Sequence, residues 1–143
     1  MSFLSAFNTS VSGMTAQRQR VNTISENIAN AETTRTPQGG PYRRREVILA
    51  SVANDRTFEE ELLSQDRSVS TSTEVKVVGV VQDERPPILR FEPGHPDANE
   101  EGYVEMPNVN IMEEMVNLMS ANRSYQANTA AFNATKNMVQ SAL

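Results

Sequence analysis

The sequence lacks cysteine and tryptophan and contains a single histidine among its 143 residues. Without cysteine, neither a disulfide framework nor a thiolate metal site can form, and the redox compartment stays open. No apolar run reaches the roughly 18 residues that a membrane-spanning helix requires. The N-terminal segment also lacks a basic start followed by an apolar stretch. We therefore expect neither a membrane span nor a cleavable secretory signal.

Apolar residues are scarce, and the charges are unevenly distributed. Only 38% of the residues are hydrophobic, mean hydropathy is -0.49 and net charge is -5. Residues 1–34 and residues 108–143 each carry equal numbers of acidic and basic side chains, so all the excess acid lies between them. Neutral ends can approach identical copies without like-charge repulsion, whereas a charged middle keeps a surface soluble.

Apolar residues recur at alternating spacings of four and three in both terminal segments. This period of about 3.5 residues is typical of a coiled-coil seam, so the ends are predicted to pair with each other or with neighbouring copies. The predicted assembly interface comprises Phe3, Phe7, Met14, Val21, Ile24, Asn27, Ile28, Asn30, Ile111, Met115, Leu118, Asn122, Tyr125, Phe132 and Val139. Asparagine is a poor helix former, yet most asparagines lie in these segments. Buried amides that fix the helix register would explain that enrichment.

The middle of the chain has the composition of short strands. β-branched and apolar runs predict strands around Val47–Leu49, Val75–Val81, Ile88–Phe91 and Tyr103–Met106, with one possible helical turn at Phe58–Leu63. We predict an α+β fold in which long N- and C-terminal helices pair as a coiled coil around a small antiparallel β body. The predicted divisions are a helix in residues 1–34, a linker and β domain in residues 35–107, and a helix in residues 108–143.

Candidate chemical motifs are weak. His95, Pro96 and Asp97 lie in a turn-rich loop, where Asp97 is expected to hydrogen-bond the local backbone. The glutamate runs lack the spacing of a metal site and are interpreted as solvated faces. The run Arg43–Arg45 is a poor nucleic-acid binder, because the chain is acidic overall and no aromatic residues are interleaved with the arginines. We expect these arginines to pair with acidic residues of a neighbouring subunit instead. We predict no catalytic, cofactor-binding or metal-binding residue and no enzymatic activity.

Several sequence blocks resemble one known family. Residues 24–33, following Ser12-Gly13-Met14, resemble the N-terminal signature of bacterial flagellar axial proteins of the rod and hook. Further similar blocks lie at residues 27–37, 39–44, 93–99, 101–104, 106–110, 113–116, 121–125 and 131–134. They span nearly the whole chain except about residues 51–84, and within the family they point to a proximal rod component.

The resemblance implies a structural subunit of the flagellar basal-body rod, whose terminal helices would line the export channel and transmit torque. Implied partners are copies of the chain, other rod proteins, the rod-to-membrane-ring adaptor and the flagellar type III export apparatus. The implied location is the rod crossing the periplasm, reached without a cleavable signal peptide. No cofactor, nucleic-acid partner or membrane span is implied. The alternative is a coiled-coil adaptor or interaction protein outside the flagellum, in which the block at residues 27–37 is not expected.

Overall fold

The computed structural model describes residues 3–53 and 73–142. In these two ranges, the helices α1 (Phe3–Ala29) and α2 (Ile111–Ala142) enclose four strands in sequence: β1 (Arg45–Ala53), β2 (Thr73–Gln82), β3 (Ile88–Phe91) and β4 (Tyr103–Met106). The α+β class predicted from the sequence is confirmed. The helical turn predicted at Phe58–Leu63 lies outside the described residues. Within the described residues, neither helix combines the length and apolar character needed to span a bilayer.

The two helices pack against each other in antiparallel orientation. Phe7 near the start of α1 contacts Phe132 near the end of α2, whereas Asn27 near the end of α1 reaches Glu114 near the start of α2. The β1–β2 pair packs on α1, and no strand of the described part packs on α2. Helix α1 is therefore the central element, with α2 and the β1–β2 pair both built on it.

Local sequence sets the ends of these helices. The side-chain oxygen of Asn110 accepts hydrogen bonds from the backbone N–H of Met112 at 3.1 Å and of Glu113 at 3.4 Å, which caps α2. After α1, a tight turn follows in which Gly39 and Gly40 have φ values of 89° and 73°. Only glycine adopts that conformation without a steric penalty, so the turn redirects the chain towards β1.

Within the described residues, the β body consists of two separate two-stranded antiparallel sheets. Strands β1 and β2 pair from Arg45 with Gln82 to Ala53 with Thr73, with a bulge opposite Ile48 and Leu49. The β3–β4 hairpin pairs Ile88 with Met106 and Phe91 with Tyr103. The segment between the sheets contains Pro86 and Pro87. Since proline has no N–H to donate to a ladder, these residues end one sheet before the next begins.

In the part of the chain that the structure describes, the buried apolar core is small. Its members are Ala16, Ile24, Ala31, Tyr42, Val104 and Ala121. Large apolar side chains on α2 and on all four strands are exposed instead. Large exposed apolar patches mark surfaces that other molecules cover.

Candidate assembly surface and its buried polar centre

Asn27 is the centre of a hydrogen-bond network where α1, β1 and α2 meet. Its side chain is 0% exposed. The Nδ2 group donates to the backbone oxygen of Arg45 at 2.8 Å and to Oε2 of Glu114 at 2.9 Å. Its Oδ1 atom accepts from the Tyr42 hydroxyl and from the Arg45 backbone N–H, both at 2.9 Å. All four hydrogen-bonding positions of the amide are therefore occupied.

Glu114 is a buried carboxylate, 1% exposed, in the first turns of α2. Its Oε1 atom accepts a hydrogen bond from Nε of Arg44 at 2.9 Å and lies 2.9 Å from Nη2 of the same guanidinium in an ion pair. Burial opposes the charge of Arg44, but the hydrogen bond and charge of Glu114 outweigh it, and the Arg44 pKa is raised. A buried carboxylate is tolerated because it has a charged partner and its hydrogen bonds are satisfied.

Two members of the arginine run, for which pairing with a neighbouring subunit is predicted, have acidic partners within their own chain. Arg44 pairs with Glu114 of its own chain, and Arg45 lies 3.6 Å from Glu26 of its own chain. The intrachain partners lie on the two helices, which the fold brings to the start of β1. Arg43 is exposed.

Tyr42 completes the network from the linker. Its hydroxyl donates to Asn27, and its backbone N–H donates to the Thr33 oxygen at 3.0 Å. The Tyr42 pKa is raised, mainly because burial disfavours the phenolate. Tyr42 therefore stays a neutral donor that fixes the linker onto α1.

Helix α1 also covers parts of both edges of the β1–β2 pair. The Asn27 amide bonds both the N–H and the C=O of Arg45, as a neighbouring strand would. At the other end of α1, Ser12 Oγ accepts from the Val75 N–H at 3.2 Å, and Thr9 Oγ1 donates to the Thr73 oxygen at 3.2 Å. These contacts fix the orientation of the strand pair relative to the helix.

The apolar part of the helix interface is narrow. The rings of Phe7 and Phe132 meet edge to face with centroids 5.0 Å apart. Thr129 Oγ1 donates to the Met14 sulfur at 3.4 Å. A Cβ atom at Gly13 would lie 2.7 Å from Nδ2 of Asn128, so glycine permits the close approach of the helices there.

The structure places the predicted interface residues in three groups. Ile24 and Asn27 are buried. Half-buried positions are Phe7, Met14, Val21, Ile28, Asn30, Leu118, Phe132 and Val139. Exposed positions are Ile111, Met115, Asn122 and Tyr125, while Phe3 begins α1 with its side chain outside the described part. The exposed members are free to contact other molecules, and their role in assembly stays a prediction.

Sequence reasoning missed Glu114, Ala121, Arg44 and Tyr42. Glu114 and Ala121 are the buried residues of α2 and lie seven positions apart, which is a heptad spacing. That spacing could have indicated the buried face of α2. It was missed because the predicted seam was traced through apolar residues, and Glu114 is charged. Nothing periodic marks Tyr42 or Arg44, because they lie in the irregular segment before β1.

The His95 loop is a turn, with different roles for its residues than predicted. The Asp97 N–H donates to Nδ1 of His95 at 3.1 Å, so the histidine makes the local bond. The Asp97 carboxylate accepts from Thr34 Oγ1 at 2.8 Å and so fastens this loop to the linker.

Comparison with known proteins identifies the family. Residues 7–35 match the family described as "Flagella basal body rod protein", and residues 100–143 match "Flagellar basal body rod FlgEFG protein C-terminal". Flagellar basal-body rod protein FlgC of Borreliella burgdorferi is 42% identical over 100% of this chain and 97% of its own length. The chain belongs to the FlgC family of flagellar basal-body rod proteins. The FlgC protein of Bacillus subtilis is 43% identical over 100% of this chain and 97% of its own length. The FlgC protein of Salmonella typhimurium is 39% identical over 97% of this chain and 94% of its own length.

The first matched segment of this FlgC-family chain contains most of α1, and the second contains β4 and all of α2. Asn27 lies in the first segment and Glu114 in the second, so the hydrogen bond between them joins the two. The segment between them carries Tyr42 and Arg44, which complete the same network.

Proposed function

We propose that this chain is a structural subunit of the flagellar basal-body rod, in which its paired terminal helices pack against copies of itself and against other rod proteins. The observation that carries the proposal is similarity to FlgC proteins along the whole chain. The helix pair, the small core and the exposed apolar surfaces support it, because they describe a subunit whose packing is completed by neighbours.

Resistance to sliding is the mechanical property that this fold supplies. A slip of one helical turn, about 5.4 Å, would separate Asn27 from Glu114. The buried carboxylate would lose the hydrogen bond that Asn27 donates, and a hydrogen bond to a charged group contributes about 1.5–3 kcal/mol. The helix pair therefore has one strongly preferred register, as a subunit that transmits torque requires.

The finer parts of the proposal concern partners and location. We infer contacts with the rod-to-membrane-ring adaptor and delivery by the flagellar type III export apparatus, without removal of a signal peptide. The subunit would lie in the part of the rod that crosses the periplasm, with its helices lining the export channel and its β body outside. The proposed role is structural, without catalysis. Membership of the FlgC family supports these assignments.

The interface residues and the three-part division at residues 1–34, 35–107 and 108–143 belong to the same proposal. The exposed Ile111, Met115, Asn122 and Tyr125 would contact neighbouring subunits. Ile24 and Asn27 would hold the helix pair that presents them.

The experiment is deletion of the gene in its own bacterium, with complementation by an epitope-tagged copy and isolation of basal bodies. The deletion strain is expected to lack filaments, and the tagged chain is expected in purified rods. Normal filaments in the deletion strain, with the tagged chain absent from purified basal bodies, would instead favour the adaptor outside the flagellum.

A further inference from the structure

The start of α2 carries an exposed apolar ridge. Met112, Met115, Val116 and Met119 are 72%, 45%, 60% and 58% exposed. Their spacing of three, four and seven residues places them on one side of the helix, away from the buried Glu114. We name these four residues the methionine ridge. Nothing in the described part of the chain covers it.

A second exposed apolar surface lies on the β1–β2 pair. Ile48 is 43% exposed and Val81 49%. Residues 46, 48 and 50 of β1 point to one face of the pair, and antiparallel partners share a face. Val81 is the partner of Glu46, and Lys76 is the partner of Ala50, so Glu46, Ile48, Lys76 and Val81 lie on the same face. We name Glu46, Ile48, Lys76 and Val81 the ribbon face. The β1–β2 pair and α2 contact α1 and not each other, so the ridge and the ribbon face belong to separate elements.

The chain itself limits what can cover the ridge. Among the described side chains of α1, Val11 is the one large apolar residue that is exposed, so a neighbouring α1 offers no matching apolar surface. Ridge against ridge would form a two-fold contact, which closes into a dimer. Ridge against ribbon face joins two different surfaces, and contacts of that kind continue from subunit to subunit.

Charges at the ends of the two surfaces are complementary at the same spacing. Glu113 and Arg123 flank the ridge ten residues apart, which is about 15 Å along a helix. Lys76 lies opposite Ala50, which is four residues from Glu46 on β1. Glu46 and Lys76 are therefore separated by about 14 Å along the strand direction. All four charged side chains are exposed. Glu113 can therefore meet Lys76 while Arg123 meets Glu46.

We propose that the methionine ridge of one copy packs on the ribbon face of a second copy, with Glu113 opposite Lys76 and Arg123 opposite Glu46. The proposal rests on the proposed function and names the surfaces through which copies meet. Methionine side chains are flexible and adapt to a strand surface of β-branched residues. Opposite charges at both ends fix the direction of contact.

Cysteine cross-linking tests the contact, because the sequence contains no other cysteine. Val116→Cys and Ile48→Cys, carrying different tags, are produced together in one strain, and isolated basal bodies are oxidised. A disulfide-linked dimer containing both tags is expected. Ser25→Cys, on the exposed side of α1, combined with Ile48→Cys is the control and is expected to give no dimer.

Each alternative result overturns the proposal. Dimers of Val116→Cys alone would indicate ridge-to-ridge contact, and a link to another protein would identify a different occupant. Absence of any link in basal bodies that contain both variants would show that the surfaces do not meet. In each of these cases the chain is in the rod, so the proposed function stands. Absence of the unsubstituted chain from basal bodies would refute the proposed function instead.

Charge reversal gives an independent measurement. Lys76→Glu is expected to lower the amount of chain in basal bodies by about threefold to tenfold, because it faces Glu113 with a like charge. Adding Glu113→Lys to that variant is expected to restore incorporation. A double variant that incorporates no better than Lys76→Glu alone would contradict the pairing.

Discussion

Replacing Asn27 by aspartate tests the buried network with a change of one side-chain group. The volume is almost unchanged, but the Nδ2 donor becomes an oxygen. That oxygen would face the Arg45 carbonyl at 2.8 Å and the Glu114 carboxylate at 2.9 Å. Two donated hydrogen bonds become contacts between acceptors, and a second negative charge enters a site that is 0% exposed.

The expected loss of stability is large. An uncompensated charge in a buried ion-pair site costs about 3–5 kcal/mol. For a chain of this length, 1 kcal/mol corresponds to about 3 °C in Tm, so Asn27→Asp is expected to unfold about 10 °C lower. The deficit is expected to shrink in acid, because a protonated aspartic acid can again donate one hydrogen bond.

Thermal and urea unfolding of the purified chain, followed by circular dichroism, measures the loss. Asn22→Asp is the matched control, since it makes the same change at an exposed position of the same helix. Exposed substitutions of that kind usually stay within about 0.5 kcal/mol. If Asn27→Asp unfolds like Asn22→Asp, the network does not hold the two helices and β1 together.

Three further predictions concern other parts of the fold. Leu118→Asp puts a charge on a half-buried position and is expected to abolish filaments. The control Ser120→Asp, at an exposed position, is expected to leave filaments intact. Normal filaments in Leu118→Asp cells would show that Leu118 is not part of the predicted coiled-coil seam. Gly13→Val is expected to destabilise the chain by about 1–3 kcal/mol in urea unfolding, because the added Cβ would lie 2.7 Å from Nδ2 of Asn128. Unchanged stability would show that the two helices do not approach closely at Gly13. Hydrogen bonds from Arg85 lower the Asp83 pKa from 3.8 to about 2, so their stabilisation is present above about pH 4 and is lost as pH falls through about 2. In an NMR titration Arg85→Gln is expected to raise the Asp83 pKa towards its ordinary value, and an unchanged pKa would contradict the assignment.

Residue patterns predicted the elements of this fold because those patterns are local. The terminal helices follow from a seam period of about 3.5 residues, and β2 follows from five valines within Val75–Val81. Neither inference requires knowledge of distant contacts. The single antiparallel body expected from the strands is divided into two sheets. Strand runs do not specify which strands pair.

The sequence by itself determined the two helices, the strand positions and, through its similar blocks, the family. Only the tertiary structure decided that Asn27, Tyr42, Arg44 and Glu114 form one buried network. A glutamate is predicted from sequence to lie on the surface unless the cation that neutralises it is known. Here that partner lies 70 positions away in the chain. Burial of a charge depends on what the fold places beside it, and that is a property of the assembled elements and not of any one segment.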